Sequence, residues 1–265
     1  TTQPDIVRQA RLNANNEIAV ILDNFKKFSN GEKGSWFVSP ERLTDRLDVK
    51  SCIPLQGRFE KKWVNNGYEV SELEKLMDLR EAIIQPKNDY PEDEFKILTI
   101  TYTGECKAEE IRKGKHINYT NMKVVREGDI VFSEYNTFNG AIGYVTKDFD
   151  GALASGSYTV VKCHNYYDSL YLWSIMRSTE IRADFLTSAI GMGRQTISWD
   201  SIKTVKVPML TENDRKNISN KILNAWEIEK QAKQSISSVF EELDNRFNVD
   251  SIEAKERFEA SKPPK

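Results

Sequence analysis

From Thr211 onward the chain carries a single helical seam. Ile218, Ile222, Ala225, Ala232, Ile236, Val239 and Leu243 fall at alternating steps of four and three, and Glu229 is the one polar break in the series. A 3.5-residue apolar repeat with charge elsewhere is the pattern of a coiled-coil strand. Thr211, with Asp214 three residues on, supplies the start. Over 211–247 the helix is about 55 Å long at ~1.5 Å per residue, more apolar stripe than one domain covers. The pattern therefore predicts a partner helix. The tail 248–265, with Lys262-Pro263-Pro264-Lys265 at its end, reads as flexible.

A second helix is expected within 1–30. Pro4 and Asp5 suit a first turn, and Val7, Ala14, Ile18, Ile21, Phe25 and Phe28 share one face before Ser29-Asn30-Gly31 ends it. This helix can pack on part of the long seam, and a second copy of the chain can cover the rest, which predicts a homodimer through helices.

Between the helices, 35–208 changes character. Short β-branched and aromatic runs over 95–102, 130–133, 141–145 and 158–161 alternate with turns such as Glu127-Gly128-Asp129. Two helices are expected among them, Ser71–Ile84 and Ser169–Ser188. Strands and helices without βαβ repetition give an α+β domain with a mixed sheet and short helices.

The 38 basic and 40 acidic residues leave a net charge of −2 and a pI near 5.9. That excludes a chain that coats DNA or an anionic membrane through bulk charge, and leaves room for a local basic face. Cys52, Cys106 and Cys163 are scattered without CxxC spacing, as expected of reduced thiols. No apolar run approaches the roughly 20 residues of a membrane-spanning helix.

Two segments carry recognition chemistry. The first runs Gly128-Asp-Ile-Val-Phe-Ser133, then Glu134-Tyr-Asn-Thr-Phe-Asn139, then Gly140-Ala-Ile-Gly-Tyr-Val145. Tyr135, Asn136, Thr137 and Asn139 stack or hydrogen-bond without fixed charge, as base-edge readers do. The same residues would also serve an ordinary hairpin whose loop bonds to itself. The second is Gly191-Met-Gly-Arg-Gln-Thr-Ile-Ser198, leading to a Val-rich strand ending Val207-Pro208-Met209. Arg194, Gln195 and Thr196 are its candidate readers, and Ser198 either caps a short turn or meets a phosphate. Satisfaction of buried backbone at a domain corner is the alternative role for Gln195 and Thr196.

These segments, "GDIVFSEYNTFNGAIGYV" and "GRQTISWDSIKTVKVPML" followed at once by the heptad helix, resemble the target-recognition domain of type I restriction-modification specificity subunits. "RLTDRLDVKSCIP" at 42–54 resembles the opening of that domain more loosely, because Lys50-Ser51-Cys52 stand where aromatics are common. The resemblance spans 36–247. It implies a non-catalytic, cytoplasmic DNA-binding subunit of a bacterium or archaeon. Such a subunit directs a partner adenine-N6 DNA methyltransferase, which brings S-adenosylmethionine, and in full systems a restriction endonuclease. The family pattern has two recognition domains per chain. One such domain between two helices implies a half-subunit that pairs with a copy of itself, or the C-terminal part of a fused methyltransferase. The opening on Thr1 instead of Met fits a trimmed or partial chain.

On this reading base readout falls to Tyr102, Thr103, Tyr135, Asn136, Thr137, Asn139, Arg194, Gln195 and Thr196. Phosphate contacts fall to Arg58, Lys61, Lys62, Lys107, Arg112, Lys113, Lys115 and Ser198. Glu60, Glu109 and Glu110 interrupt the basic clusters, which as solvated faces would do nothing more.

Signs of catalysis are sparse. An Asn/Asp-Pro-Pro-aromatic tetrapeptide is absent, as is a Walker A pattern. Cys163 and His164 are adjacent on an expected strand and so point to opposite faces. Glu94-Phe95-Lys96 matches the end of a nuclease motif, which leaves a metal-dependent nuclease as one alternative. A coiled-coil scaffold that does not bind DNA is the other.

Overall fold

The structure, a computed structural model, describes residues 58–190 and 195–247. The helix expected within 1–30, the 42–54 segment, Arg194 and the tail 248–265 lie outside the described residues. The chain divides into two units between Lys216 and Asn217.

The first unit is α+β. In order it runs α1 (Arg58–Asn65), β1 (Glu69–Glu72), β2 (Met77–Leu79), β3 (Ile83–Ile84), α2 (Pro86–Asp89), β4 (Glu94–Ile100), β5 (Cys106–Lys113), β6 (Met122–Val124) and β7 (Ile130–Ser133). It continues with β8 (Ile142–Tyr144), β9 (Leu153–Ala154), β10 (Tyr158–Cys163), α3 (Ser169–Met176), α4 (Thr179–Ser188), α5 (Trp199–Ile202) and β11 (Lys206–Met209). The strands form a four-stranded sheet ordered β2-β10-β7-β8, a five-stranded sheet ordered β3-β6-β9-β4-β5, and a ribbon of β1 with β11. Pairing is antiparallel except between β4 and β9, which meet in parallel at Ile97 and Leu153.

Strand β7 shows why the layers stack as they do. All four of its residues are buried, although neighbouring side chains point to opposite faces. On one face Val131, opposite Val160 of β10, joins Leu98 of β4 and Cys106 of β5 in a common core between the two sheets. On the other, Phe132 meets Phe185 of α4 edge-on, with ring centroids 5.9 Å apart. A strand covered on both faces needs an unbroken apolar run, as Ile-Val-Phe supplies. Helix α3 is likewise apolar all round, burying Leu170, Tyr171, Leu172, Trp173 and Met176. Its two polar aromatic atoms find acceptors: Trp173 Nε1 donates to Ile142 O at 2.8 Å, and Tyr171 Oη to Pro208 O at 2.6 Å.

Two helix expectations are corrected. Residues 71–84 hold strands and a 3-10 turn instead of a helix. Leu73 and Met77 are fully buried, but four-residue spacing serves this winding path as well as a helix face. Partners far away in sequence decide the outcome: β1 pairs with 206–209 and β2 with β10. The segment 169–188 is two helices, because Ser178 takes an extended conformation and its Oγ accepts from Ile181 N at 3.4 Å, starting α4 anew. Ser198 precedes α5 as expected, but its hydroxyl makes no cap hydrogen bond.

The last helix, α6 (Glu212–Phe247), begins in the first unit. Thr211 Oγ1 accepts from Asp214 N at 3.2 Å and donates to Asp214 Oδ2 at 2.7 Å, the expected start. Arg215 grips Asp168 through Nε at 2.7 Å and Nη2 at 3.2 Å, fixing the first turn to the end of β10 and the start of α3. The second unit is the rest of α6. There Ile218 and Ile222 are half-buried, whereas Ala225, Ala232, Ile236, Val239 and Leu243 are exposed, as is Phe240. Glu229, the polar break in the seam, pairs with Lys233 at 2.8 Å.

Candidate nucleic-acid interface

Three segments singled out in the sequence lie side by side. The β4–β5 connection closes as a tight turn: Thr101 N donates to Glu105 O at 3.0 Å, Gly104 N donates to Thr101 O at 2.9 Å, and the hydroxyls of Thr101 and Thr103 are 2.7 Å apart. Gly140, in the β7–β8 loop, sits at φ +103°, and a Cβ there would fall 2.7 Å from Tyr102 O. Only glycine lets the two backbones approach so closely. On the other side of the same loop, Glu134 O accepts from Ile197 N at 2.9 Å, which brings in 195–198.

A fourth segment, absent from the sequence expectations, joins this rim. The β9–β10 turn Ser155-Gly156-Ser157 reaches the loop through Glu134 N, which donates to Ser157 O at 3.0 Å, and the two serine hydroxyls lie 2.9 Å apart. A Ser-Gly-Ser turn between two apolar runs is legible in sequence. Which end of the sheet it occupies is not.

The rim carries mostly uncharged hydrogen-bonding and aromatic groups. Tyr102 is 63% exposed. Thr103, Asn139 and Ser198 are exposed, and Tyr135, Asn136, Gln195 and Thr196 are half-buried. Thr137 is a correction: it is fully buried, and its hydroxyl donates to Ser133 O at 2.7 Å. It braces the loop from within and cannot touch a base. Arg194 lies outside the described residues.

The basic candidates do not gather with the loops. Lys107 alone of the β5 cluster starts beside the turn, and it pairs with Glu105 at 3.5 Å. Arg112 and Lys113 lie at the far end of β5, roughly 20 Å away at ~3.3 Å per residue, and Lys115 lies just beyond. There Arg112 pairs with Glu110 at 2.5 Å, while Lys113 and Lys115 share Glu92 at 3.5 and 2.9 Å. The Lys115 hydrogen bond holds the Glu92 carboxyl below its usual pKa. β5 thus carries these three away from the 101–105 turn. Lys61 and Lys62 are exposed on α1, which Glu60 ties to β11 through Lys206 at 2.9 Å; of Arg58 only the backbone is described.

The other candidate chemistry is engaged elsewhere. Lys96 Nζ donates to Asp148 O at 2.6 Å and lies 5.8 Å from the Phe149 ring centroid, so the nuclease reading loses its free ammonium. His164 Nε2 meets Asp78 at 3.1 Å, and burial pushes the Cys163 thiol up to about 12.

No protein-family model matches the chain, and no curated protein does. Solved structures do. The HsdS subunit from Thermoanaerobacter tengcongensis is 18% identical at a TM-score of 0.50, covering 65% of this chain and 45% of that one. A chain from a type I R-M system, solved for its complex assembly and conformational transition, is 19% identical at 0.47, with the same coverage. The type I restriction-modification S subunit from M. genitalium is 14% identical at 0.44, covering 69% of this chain and 46% of that one. The chain thus matches less than half the length of each. What the likeness establishes is architecture: the described domain has the α+β fold of HsdS, the S subunit of type I restriction-modification systems.

Proposed function

We propose that the chain is a sequence-specific DNA-binding specificity subunit that directs a partner adenine-N6 DNA methyltransferase, and in a full system a restriction nuclease, to its site. The observation that carries this reading is the single rim formed by 101–105, 134–141, 155–157 and 195–198. These segments are remote in sequence and rich in Tyr, Asn, Ser, Thr and Gln. Such groups read base edges, whereas the cations that position a protein on phosphate carry no sequence information. The HsdS fold supports the reading. S-adenosylmethionine belongs to the partner on this proposal.

One recognition domain reads one half of a split target. Two copies joined through α6 then read both halves of a symmetric site. The test is selection of the full chain against a randomised-core duplex pool. Enrichment of one sequence over scrambled duplexes by at least ~10³-fold, the low end for specific readers, is the expected result. A chain that enriches nothing, yet still self-associates, would be the scaffold instead.

A further inference from the structure

We infer that Arg177 and Arg182 are positioning residues that lock the 101–105 turn and the 134–141 loop to the α3–α4 corner, so that both present their readers in one fixed register. The inference rests on the proposed DNA-reading role of the rim. Arg182, half-buried on α4, donates from Nε to Phe138 O at 3.1 Å, and its guanidinium lies 3.5 Å from where a Gly140 Cβ would be. No carboxylate among the described residues forms an ion pair with it. Burial lowers its basicity. A cation set there has the loop carbonyl as its hydrogen-bond partner among the described residues.

Arg177 closes the other side. Its Cζ stands 4.8 Å from the Trp173 ring centroid, a cation–π contact, and a Cβ at Gly104 would fall 2.5 Å from that same Cζ. Trp173 is in turn anchored to Ile142 O, just beyond the second loop. The two arginines therefore reach different loops from one kinked pair of helices, with Ser178 capping between them. Gly140 completes the lock, since the loops touch backbone to backbone at Tyr102 O. A loop held at its carbonyl and its glycine keeps its side chains aimed, and aim is what base readout needs, because small displacements forfeit bidentate geometry.

The variants are R177M, R182M and the conservative R182K, each in the full chain. Two readouts separate this inference from the function it rests on. In the DNA-free chain, amide exchange at Asn139, Gly140 and Ala141, whose N–H groups bond within the loop, should quicken by about tenfold in R182M. In R177M the same should hold at Gly104, with β7 and β10 protected as before in both variants. Unchanged loop exchange in either methionine variant overturns the inference, whatever the chain binds. With the duplex enriched from the randomised pool, each methionine variant should lose about tenfold or more in preference over a scrambled duplex. Affinity for the scrambled duplex and its salt slope should stay unchanged, and R182K should retain part of the preference. Parallel loss on both duplexes, with the salt slope reduced by about 1, would make the arginines phosphate contacts and overturn their positioning role.

Discussion

Arg80 and Asp129 form a forked ion pair between the end of the β2 strand and the Gly-Asp turn that opens β7. Nη2 donates to Oδ1 at 2.7 Å, and Nε donates to Oδ2. The carboxylate side chain is 2% exposed, and Oδ2 also accepts from Arg126 N at 2.8 Å. Its pKa is raised by burial, against the lowering effect of Arg80. Removing the guanidinium would leave a buried charge short of donors. R80M should cost about 3–5 kcal/mol in urea unfolding. D129N alone and the R80M/D129N double variant complete the cycle: the double variant should lose less than the sum of the two single losses, and a loss equal to that sum would show that the pair is not coupled.

Asp184 sets a pH dependence. It is buried on α4, its Oδ1 has no hydrogen-bond partner among the described residues, and burial with nearby Glu60 pushes its carboxyl up to about 7. The folded chain holds this proton where the unfolded chain has released it. Its contribution is therefore present at acid pH and is lost as pH rises from about 4 through about 7, with a slope of up to ~1.4 kcal/mol per pH unit. Urea midpoints at pH 5 and pH 8 should differ for the wild type in that direction, and D184N should flatten the difference. An equal slope in D184N would assign the dependence to other groups.

Rim and distal positions should separate in binding. N136A and Q195A should change which sequence is preferred, each by about 1–3 kcal/mol at one base pair. K61A should weaken binding to all duplexes alike, as a phosphate contact does. Uniform loss across sequences for all three variants, measured by competition against single-base variants of the enriched duplex, would remove the rim from base readout.

The outer part of α6 should drive self-association. Ile236, Val239, Phe240 and Leu243 follow the i, i+3, i+4, i+7 spacing and are 41–61% exposed. I236E/V239E should convert a dimer to a monomer in sedimentation equilibrium without shifting the urea midpoint of the α+β domain. A wild-type chain that sediments as a monomer would end the pairing proposal.

Local pattern determined the pieces of this protein. The long helix from Thr211, the Gly-Asp turn at 128–129, the buried run of β7 and the Tyr-Asn loop after it are written in spacing and side-chain type, because the energies that favour them act over a few residues. The seam was legible except for Phe240, which widens the stripe beyond a strict heptad. Tertiary structure decided what those pieces meet. Residues 71–84 became strands because β10 and β11, more than 80 and 130 residues away, supplied their hydrogen-bond partners. The burial of Thr137, the engagement of Lys96 by Asp148 O and the arrival of Ser155-Gly156-Ser157 beside Glu134 depend on which strand ends share a side of the sheet. Pairing across a sheet is non-local, and no short window of sequence records which end a turn will reach.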